Sequence, residues 1–392
     1  MGLTDGLLAD RWLTGAGLAI AVVAMVMLAL WAPSGLGLVK EDGDNAIGEE
    51  PTEPPSMPDP AAVVDDIETL ADFGYRKIDT VAHANAGDFI QFRLEDLGYE
   101  VEIQEFNTSE CGYCRNYLVE YEGMNQDSWI VVGGHYDAIC YSQDVVIGIE
   151  YPGCTSEGAY DDATGVASVL EMARLMMEWG GTPEHTWKFA LWDYEEWQGS
   201  GSSEGGGMGS LHFVETLPED VEIATYINLD MFGLNWPVST NLASQLSGCD
   251  EEYFFLYLFT SPITDWSYYT DRGVNVTDEM REEAVALHDR LNGVLHDDLS
   301  YPEWILVLDD TKGNSDHYNF ITHGVASTWI RGMHEFVRET GDTCEQSPKH
   351  APTDRVDVLY QLAGGRDGLE EGMRTGLDAL ALLMWKDVQG DW

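Results

Sequence analysis

Trp129-Ile130-Val131-Val132-Gly133-Gly134-His135-Tyr136-Asp137 is an apolar run that stops on a histidine and an aspartate. Residues 129–133 read as a buried strand, bounded by glycine and too short for a helix. Two similar runs follow. Thr186–Trp192 leads into Tyr194-Glu195-Glu196, and Ile223–Leu229 leads into Asp230 within Asn228-Leu229-Asp230-Met231. Between the first two lies Tyr160-Asp161-Asp162-Ala163-Thr164-Gly165. A helix over about 165–179 comes next, where Val166, Val169, Leu170, Ala173 and Leu175 form one apolar stripe. Strand, helix and strand in alternation predict an α/β chain whose central sheet is mixed and mainly parallel, with helices on both faces.

Further elements extend this pattern. Ala61–Phe73 and Ala84–Leu97 read as helices, the second closed by Gly98. Tyr99–Phe106, Tyr117–Tyr121, Trp304–Val307 and Ser327–Ile330 read as strands, and a last helix covers about Gly368–Trp385. The stretch Phe232–Leu299 departs from the rhythm. It is dense in aromatics (Tyr253, Phe254, Phe255, Tyr257, Phe259, Trp266, Tyr268, Tyr269), carries a helix over Asp278–Leu295, and reads as an insertion that is local core or pocket wall. The resulting division is an N-terminal segment over 1–40, an acidic, proline-rich linker over 41–60 and one domain over 61–392.

Seventy acidic residues face nineteen basic ones, a net charge of −51. A field of that sign repels phosphate backbones and anionic membrane surfaces, so nucleic acid is excluded as a partner. The same acidity weakens any inference from paired carboxylates, because roughly a dozen adjacent acidic pairs arise by chance at this composition. Asp161-Asp162 and Glu195-Glu196 gain meaning only from their positions.

Leu13–Ala32 is uncharged and apolar, preceded by Arg11 and ended by Pro33. About 20 such residues cross a bilayer as a helix, so this segment reads as an N-terminal membrane anchor or a removed signal. Either reading places the domain outside the cytoplasm, touching the membrane through this segment alone. Six cysteines agree with an oxidising compartment. Local spacing favours Cys111–Cys114 and Cys140–Cys154, which leaves Cys249–Cys344. Cys111-Gly112-Tyr113-Cys114 is read as a structural bridge, since no strand-to-helix redox pattern surrounds it and no second pair completes a zinc knuckle.

Strand-end polar residues are the candidates for chemistry. His135 can bind a metal through one ring nitrogen while Asp137, two residues on and on the same side of an extended chain, fixes the other. Asp161 stands at a helix start and Asp230 at a strand end. Glu195 and Glu196 can diverge at a turn, one to a metal and one to a water. His350 lies in the loop Lys349-His350-Ala351-Pro352-Thr353-Asp354 before the last helix.

In order and chemistry these five segments resemble the two-zinc exopeptidase family of secreted bacterial aminopeptidases, glutamate carboxypeptidase II and, more distantly, glutaminyl cyclases. The resemblance covers about Ala62 to the C-terminus. It implies the zinc exopeptidase fold and two Zn²⁺ ions, with Mn²⁺ or Co²⁺ as substitutes. It implies His135, Asp161 and Asp230 around one ion and Asp161, Glu196 and His350 around the other. It also implies Glu195 as the general base acting on a hydroxide between the ions, and Asp137 as the residue orienting His135. His317, in Ser315-Asp316-His317, is set aside as a ligand in favour of His350 and read as a nearby pocket or structural residue. The family's Gly-Leu-x-Gly-Ser segment is matched here by Gly207-Met208-Gly209-Ser210, delayed by an insertion over Trp197–Gly206.

The activity that follows is an aminopeptidase acting on peptides with a free N-terminus. Alternatives on the same framework are a carboxypeptidase or dipeptidase, for which Arg331 is a candidate carboxylate anchor, a glutaminyl cyclase-like acyltransferase, and a non-catalytic ectodomain.

Overall fold

The computed structural model describes residues 53–140, 154–196, 206–233, 257–301, 306–309, 315–332, 335–337, 343–345 and 348–392. The N-terminal apolar segment, most of the insertion after Glu196 and residues 234–256 with Cys249 lie outside these. Among the described residues no helix is long and apolar enough to cross a membrane.

One mixed sheet organises the chain. In chain order its strands are β1 (Glu102–Phe106), β2 (Cys114–Tyr121), β3 (Asn125–His135), β4 (His185–Trp192), β5 (Glu222–Leu229), β6 (Tyr257–Thr260), β7 (Leu306–Leu308) and β8 (Ser327–Gly332). Their spatial order is β1-β2-β4-β3-β5-β8-β6-β7. The four central strands β4, β3, β5 and β8 are mutually parallel, while β1, β2 and β6 join antiparallel. The sheet is therefore mixed with a parallel centre, and the aromatic-rich stretch supplies one of its strands, β6 against β8.

Alternation along β3 shows how the sheet is covered. Ile130 and Val132 face a large core built with α1 (Pro60–Asp72), α2 (Val81–Asp96), α3 (Ala163–Trp179) and the C-terminal helix α8 (Arg366–Val388), whereas Val131 faces a second core. That second core holds Trp192, Phe213, Tyr226 and Phe320, where α4 (Met208–Glu215) and α6 (His317–Thr322) cover the opposite face. The helix expected over Asp278–Leu295 is α5 (Asp278–Asn292), continued by a π-helical turn over Gly293–Asp298. A short α7 (Val356–Ala363) precedes α8.

Two ties fix the frame. Asp387 of α8 accepts hydrogen bonds from Trp187 Nε1 at 2.7 Å and from the His185 amide at 3.2 Å, locking the last helix to the start of β4. Disulfides join Cys111 to Cys114 and Cys140 to Cys154.

The start of α3 lies unusually close to the end of β5. A Cβ on Gly165 would sit 2.3 Å from the Leu229 carbonyl oxygen and 2.3 Å from the Asp162 carboxylate. Backbone and a hydrogen-bonded carboxylate cannot withdraw as a flexible side chain would. Gly165→Ala should therefore destabilise the protein by about 1–3 kcal/mol, the usual cost of forcing an added carbon into a packed site. Denaturant unfolding checks this, and a wild-type midpoint would refute the close-packed helix start.

Candidate metal centre

Parallel strands end at one edge, and the register aligns them. His135 pairs with Trp192, Gly133 with Asn228 and Leu229 with Ile330, so the segments after β3, β4, β5 and β8 emerge side by side. This carboxyl edge is where open α/β sheets carry their sites. Sharp turns follow the strands: Tyr194 (φ 57°) precedes Glu195, Met231 (φ 55°) follows Asp230, and His350 itself has φ 56°. Left-handed backbone costs a non-glycine residue about 1–2 kcal/mol, so neighbouring contacts must hold it. For Tyr194 these are a hydroxyl bond to Glu110 at 3.0 Å and packing against Ile78, Phe106 and the Cys111–Cys114 bridge.

The structure brings His135, Asp161, Glu195, Glu196, Asp230 and His350 together. Asp161 is central. One of its carboxylate oxygens lies 3.1 Å from His135 Nε2 and the other 3.1 Å from His350 Nε2. Around His135 Nε2 stand Asp230 at 3.7 Å and a Glu195 oxygen at 3.9 Å, while Glu196 lies 3.1 Å from His350 Nε2. Glu196, His350 and Asp161 form one group able to hold a metal, and His135 and Asp230 contribute to another. Asp162 is also near the second group, but its oxygens accept the amides of His135 (3.2 Å), Gly165 (2.8 Å) and Met231 (3.1 Å). Asp161 is thus the carboxylate left to share between the two positions.

Three buried aspartates hold this arrangement through backbone amides. Asp162, the N-cap of α3, ties together the segments at 135, 165 and 231. Asp137 accepts the amides of Glu195 at 2.9 Å and Glu196 at 3.1 Å. Asp354 accepts those of Tyr160 at 2.6 Å and Asp161 at 3.2 Å. Asp137 therefore does more than orient a ring: its carboxylate is 3.5 Å from His135 Nδ1, its main-chain oxygen 3.2 Å, and its shortest bonds go to the Glu195 turn.

Burial governs the protonation of the cluster. Desolvation pushes Glu195 and Asp162 well above the usual carboxyl range and also raises Glu196. Asp161 goes the other way, because bonds from His135 and His350 outweigh its burial. Desolvation alone would lower both histidines, yet Glu195 drives His135 up and Glu196 drives His350 up, to about 10. Such concentrated negative charge calls for cations. Asp230 Oδ1 is moreover buried without a hydrogen-bond partner, at the spot where the nitrogen and oxygen donors converge. A divalent metal fits that donor set.

His317 lies apart from these groups. Its ring stacks on Trp329 at 5.2 Å, and Trp329 Nε1 donates to the Asp230 carbonyl at 3.0 Å, so it buttresses the Asp230 turn. Residues that sequence reading passed over include Asp162, which the helix-capping pattern could have flagged, and Asp354, whose partners lie almost 200 residues away. Asp316 is a third. It is fully buried, pushed up to about 7 by desolvation, and accepts a hydrogen bond from Ser210. Beyond the insertion the chain returns to the site: the amides of Gly207, Met208 and Gly209 bond the carbonyls of Glu195, Tyr194 and Asp193 at 2.8, 2.9 and 3.0 Å.

Residues 116–363 match Peptidase family M28. The chain is 27% identical over 197 residues to Leupeptin-inactivating enzyme 1 of Streptomyces exfoliatus, covering 48% of this chain and 39% of that protein. It is 34% identical over 108 residues to a probable zinc metalloprotease of Pyrenophora tritici-repentis, covering 27% and 21%. The aligned stretches thus span well under half the length of these relatives. Among solved structures, a leucine aminopeptidase precursor from Bacteroides thetaiotaomicron superimposes with a TM-score of 0.58 at 17% identity, over 83% of this chain and 98% of that one. A glutaminyl cyclase from the same organism gives 0.59 at 17%, over 84% and 99%. At such identity these two speak to the fold, which is that of the zinc exopeptidases. The chain belongs to Peptidase family M28.

Two outcomes are expected from metal binding. His350→Ala should lose bound metal on elemental analysis while His317→Ala retains it, and full retention by His350→Ala would remove His350 from the ligand set. Because both histidines have raised pKa values, an incoming cation must displace their protons at neutral pH. Apparent affinity should therefore climb with pH, about tenfold per unit for each proton displaced, and fall as pH drops. Calorimetric titration at several pH values reads that slope; a flat profile would contradict the assignment.

Proposed function

We propose that this M28-family chain is a metal-dependent aminopeptidase that removes N-terminal residues from peptides. The observation that carries the reading is Asp161, with one oxygen toward His135 and the other toward His350, which supports two adjacent cation positions sharing one carboxylate. His135, Asp161 and Asp230 would hold one ion, and Asp161, Glu196 and His350 the other. Zinc is favoured by the donor set and by the relative named as a zinc metalloprotease, with Mn²⁺ or Co²⁺ as substitutes. Bound metal supplies Lewis acidity, polarising the scissile carbonyl and acidifying water.

Every other role belongs to the chain's own side chains. Glu195 is the proton carrier. Its amide is pinned by Asp137 and its carboxyl stands beside His135, so it faces the same space as the ligands without being needed as one. Burial raises its proton affinity, which suits a group that takes a proton from water and passes it to the leaving amine. Asp137 keeps Glu195, Glu196 and His135 in fixed relation.

The sign of the surroundings favours a substrate ammonium over a substrate carboxylate. Among the described residues near the ligands the buried cation is Arg76, whose bonds go to main-chain carbonyls, and Arg331 lies over the Trp329 ring at 4.2 Å. We place the enzyme outside the cytoplasm, a reading supported by the two disulfides and the apolar N-terminal segment.

Peptides with free amino termini should be cleaved residue by residue, and the same peptides N-acetylated should resist. Turnover of the acetylated set alone would overturn the aminopeptidase reading, and release of pyroglutamyl peptides would point to the cyclase. Glu195→Gln should lower kcat by about 10²–10⁴-fold, the range for losing a general base, with metal content unchanged.

A further inference from the structure

The connection between α1 and α2, residues 73–80, precedes the segment that matches the family, yet it reaches the floor of the site. Arg76 within it is completely buried. Its guanidinium ends on main-chain carbonyls from two loops. Nε donates to Tyr136 at 2.8 Å, Nη2 to Gly158 at 2.9 Å, and Nη1 to Glu157. Tyr136 stands between His135 and Asp137; Gly158 stands three residues before Asp161. The Arg76 carbonyl in turn accepts the Ala138 amide at 3.2 Å, and the neighbouring Tyr75 hydroxyl accepts the Cys140 amide at 2.9 Å.

The fit is close. A Cβ on Gly158 would come within 2.8 Å of Arg76 Nη2. From the same side His83, in the first turn of α2, bonds Asp193 at 2.7 Å. The other oxygen of Asp193 accepts the Tyr136 hydroxyl, also at 2.7 Å, which adds the Glu195 turn to the assembly. Carbonyls are neutral, so the guanidinium charge remains available to act on its surroundings. Those include Asp354, Asp162, Asp137 and Asp161, which draw its proton affinity upward against the lowering effect of burial.

We infer that Arg76 is a further positioning residue of the metal centre, beside the three aspartates: its planar fork sets the spacing between the His135 loop and the Asp161 loop, and its charge offsets the carboxylates left over after two cations are bound. The inference rests on the two-cation reading above. A count of charges supports it. Two divalent ions against Asp161, Glu196 and Asp230 leave a surplus of one positive charge, but Asp137, Asp162 and Asp354 also face Arg76, and their oxygens are spent on backbone amides and not on cations. Lysine could supply charge there and three donors on one nitrogen, but not the planar fork whose three nitrogens reach carbonyls of two loops at once.

The test uses the full chain, stripped with chelator and titrated calorimetrically with Zn²⁺, beside thermal melts of the metal-free and zinc-saturated forms. R76M should bind zinc about 10–100-fold more weakly, the range for removing a group that orients metal ligands. R76K should fall between R76M and wild type, and kcat should drop in both with KM little changed. Wild-type zinc affinity in a folded R76K and R76M would overturn the inference. A variant that is unfolded without metal and is not restored by saturating zinc would mark Arg76 as a fold residue only, and would overturn it too. Absence of zinc uptake by the wild-type chain would instead overturn the two-cation reading itself.

Discussion

Carboxylate oxygens accepting backbone amides are the interaction on which this site depends. A metal centre fed by five separate segments needs their main chains fixed to within a fraction of an ångström, and strand ends alone do not supply that. Asp162 does so by capturing the amides of three segments, and Asp137 and Asp354 by each capturing two adjacent amides of a segment remote from their own. Each is buried, so its bonds are strong and its desolvation cost is high. A chain of net charge −51 thus uses part of its acidity as internal fastening rather than as surface solvation.

The division of labour between adjacent acids follows from this. In Asp161-Asp162 the first faces the histidines and the second faces the backbone. In Glu195-Glu196 the amides of both are held by Asp137 while their carboxyls diverge toward His135 and His350 respectively. Left-handed turns at Tyr194, Met231 and His350 aim these side chains, and the surrounding bonds offset the strain.

Much of this was legible in the sequence, for a physical reason. Buried parallel strands are short apolar runs, so Trp129–Gly133, Thr186–Trp192 and Ile223–Leu229 announced themselves, as did the amphipathic stripe of α3. His135 and His350 were readable because ten histidines stand against seventy acids and both lie in ordered motifs. The connectors were not. An aspartate that accepts distant amides leaves no local pattern: among seventy acids Asp354 looked like any other, and Asp162 showed only its place at a helix start. Arg76 was invisible for the same reason: its partners are carbonyls, which every residue possesses. Strand β6 was obscured because aromatic density suits a pocket wall as well as a sheet.

The bond from the Asp161 amide to Asp354 joins residues 193 apart in sequence. Closing so long a loop costs chain entropy that only the completed sheet can return, so this contact belongs to the late stages of folding. On that argument Asp161 reaches its final position only after the segment that carries Asp354 has docked. Metal affinity is then a property of the finished molecule, and a bound ion would stabilise residues 135 through 354 as one unit. In a nascent or clipped chain the same ligands would exist as residues without existing as a site, and hydrolytic capacity would appear only once the fold that contains it is closed.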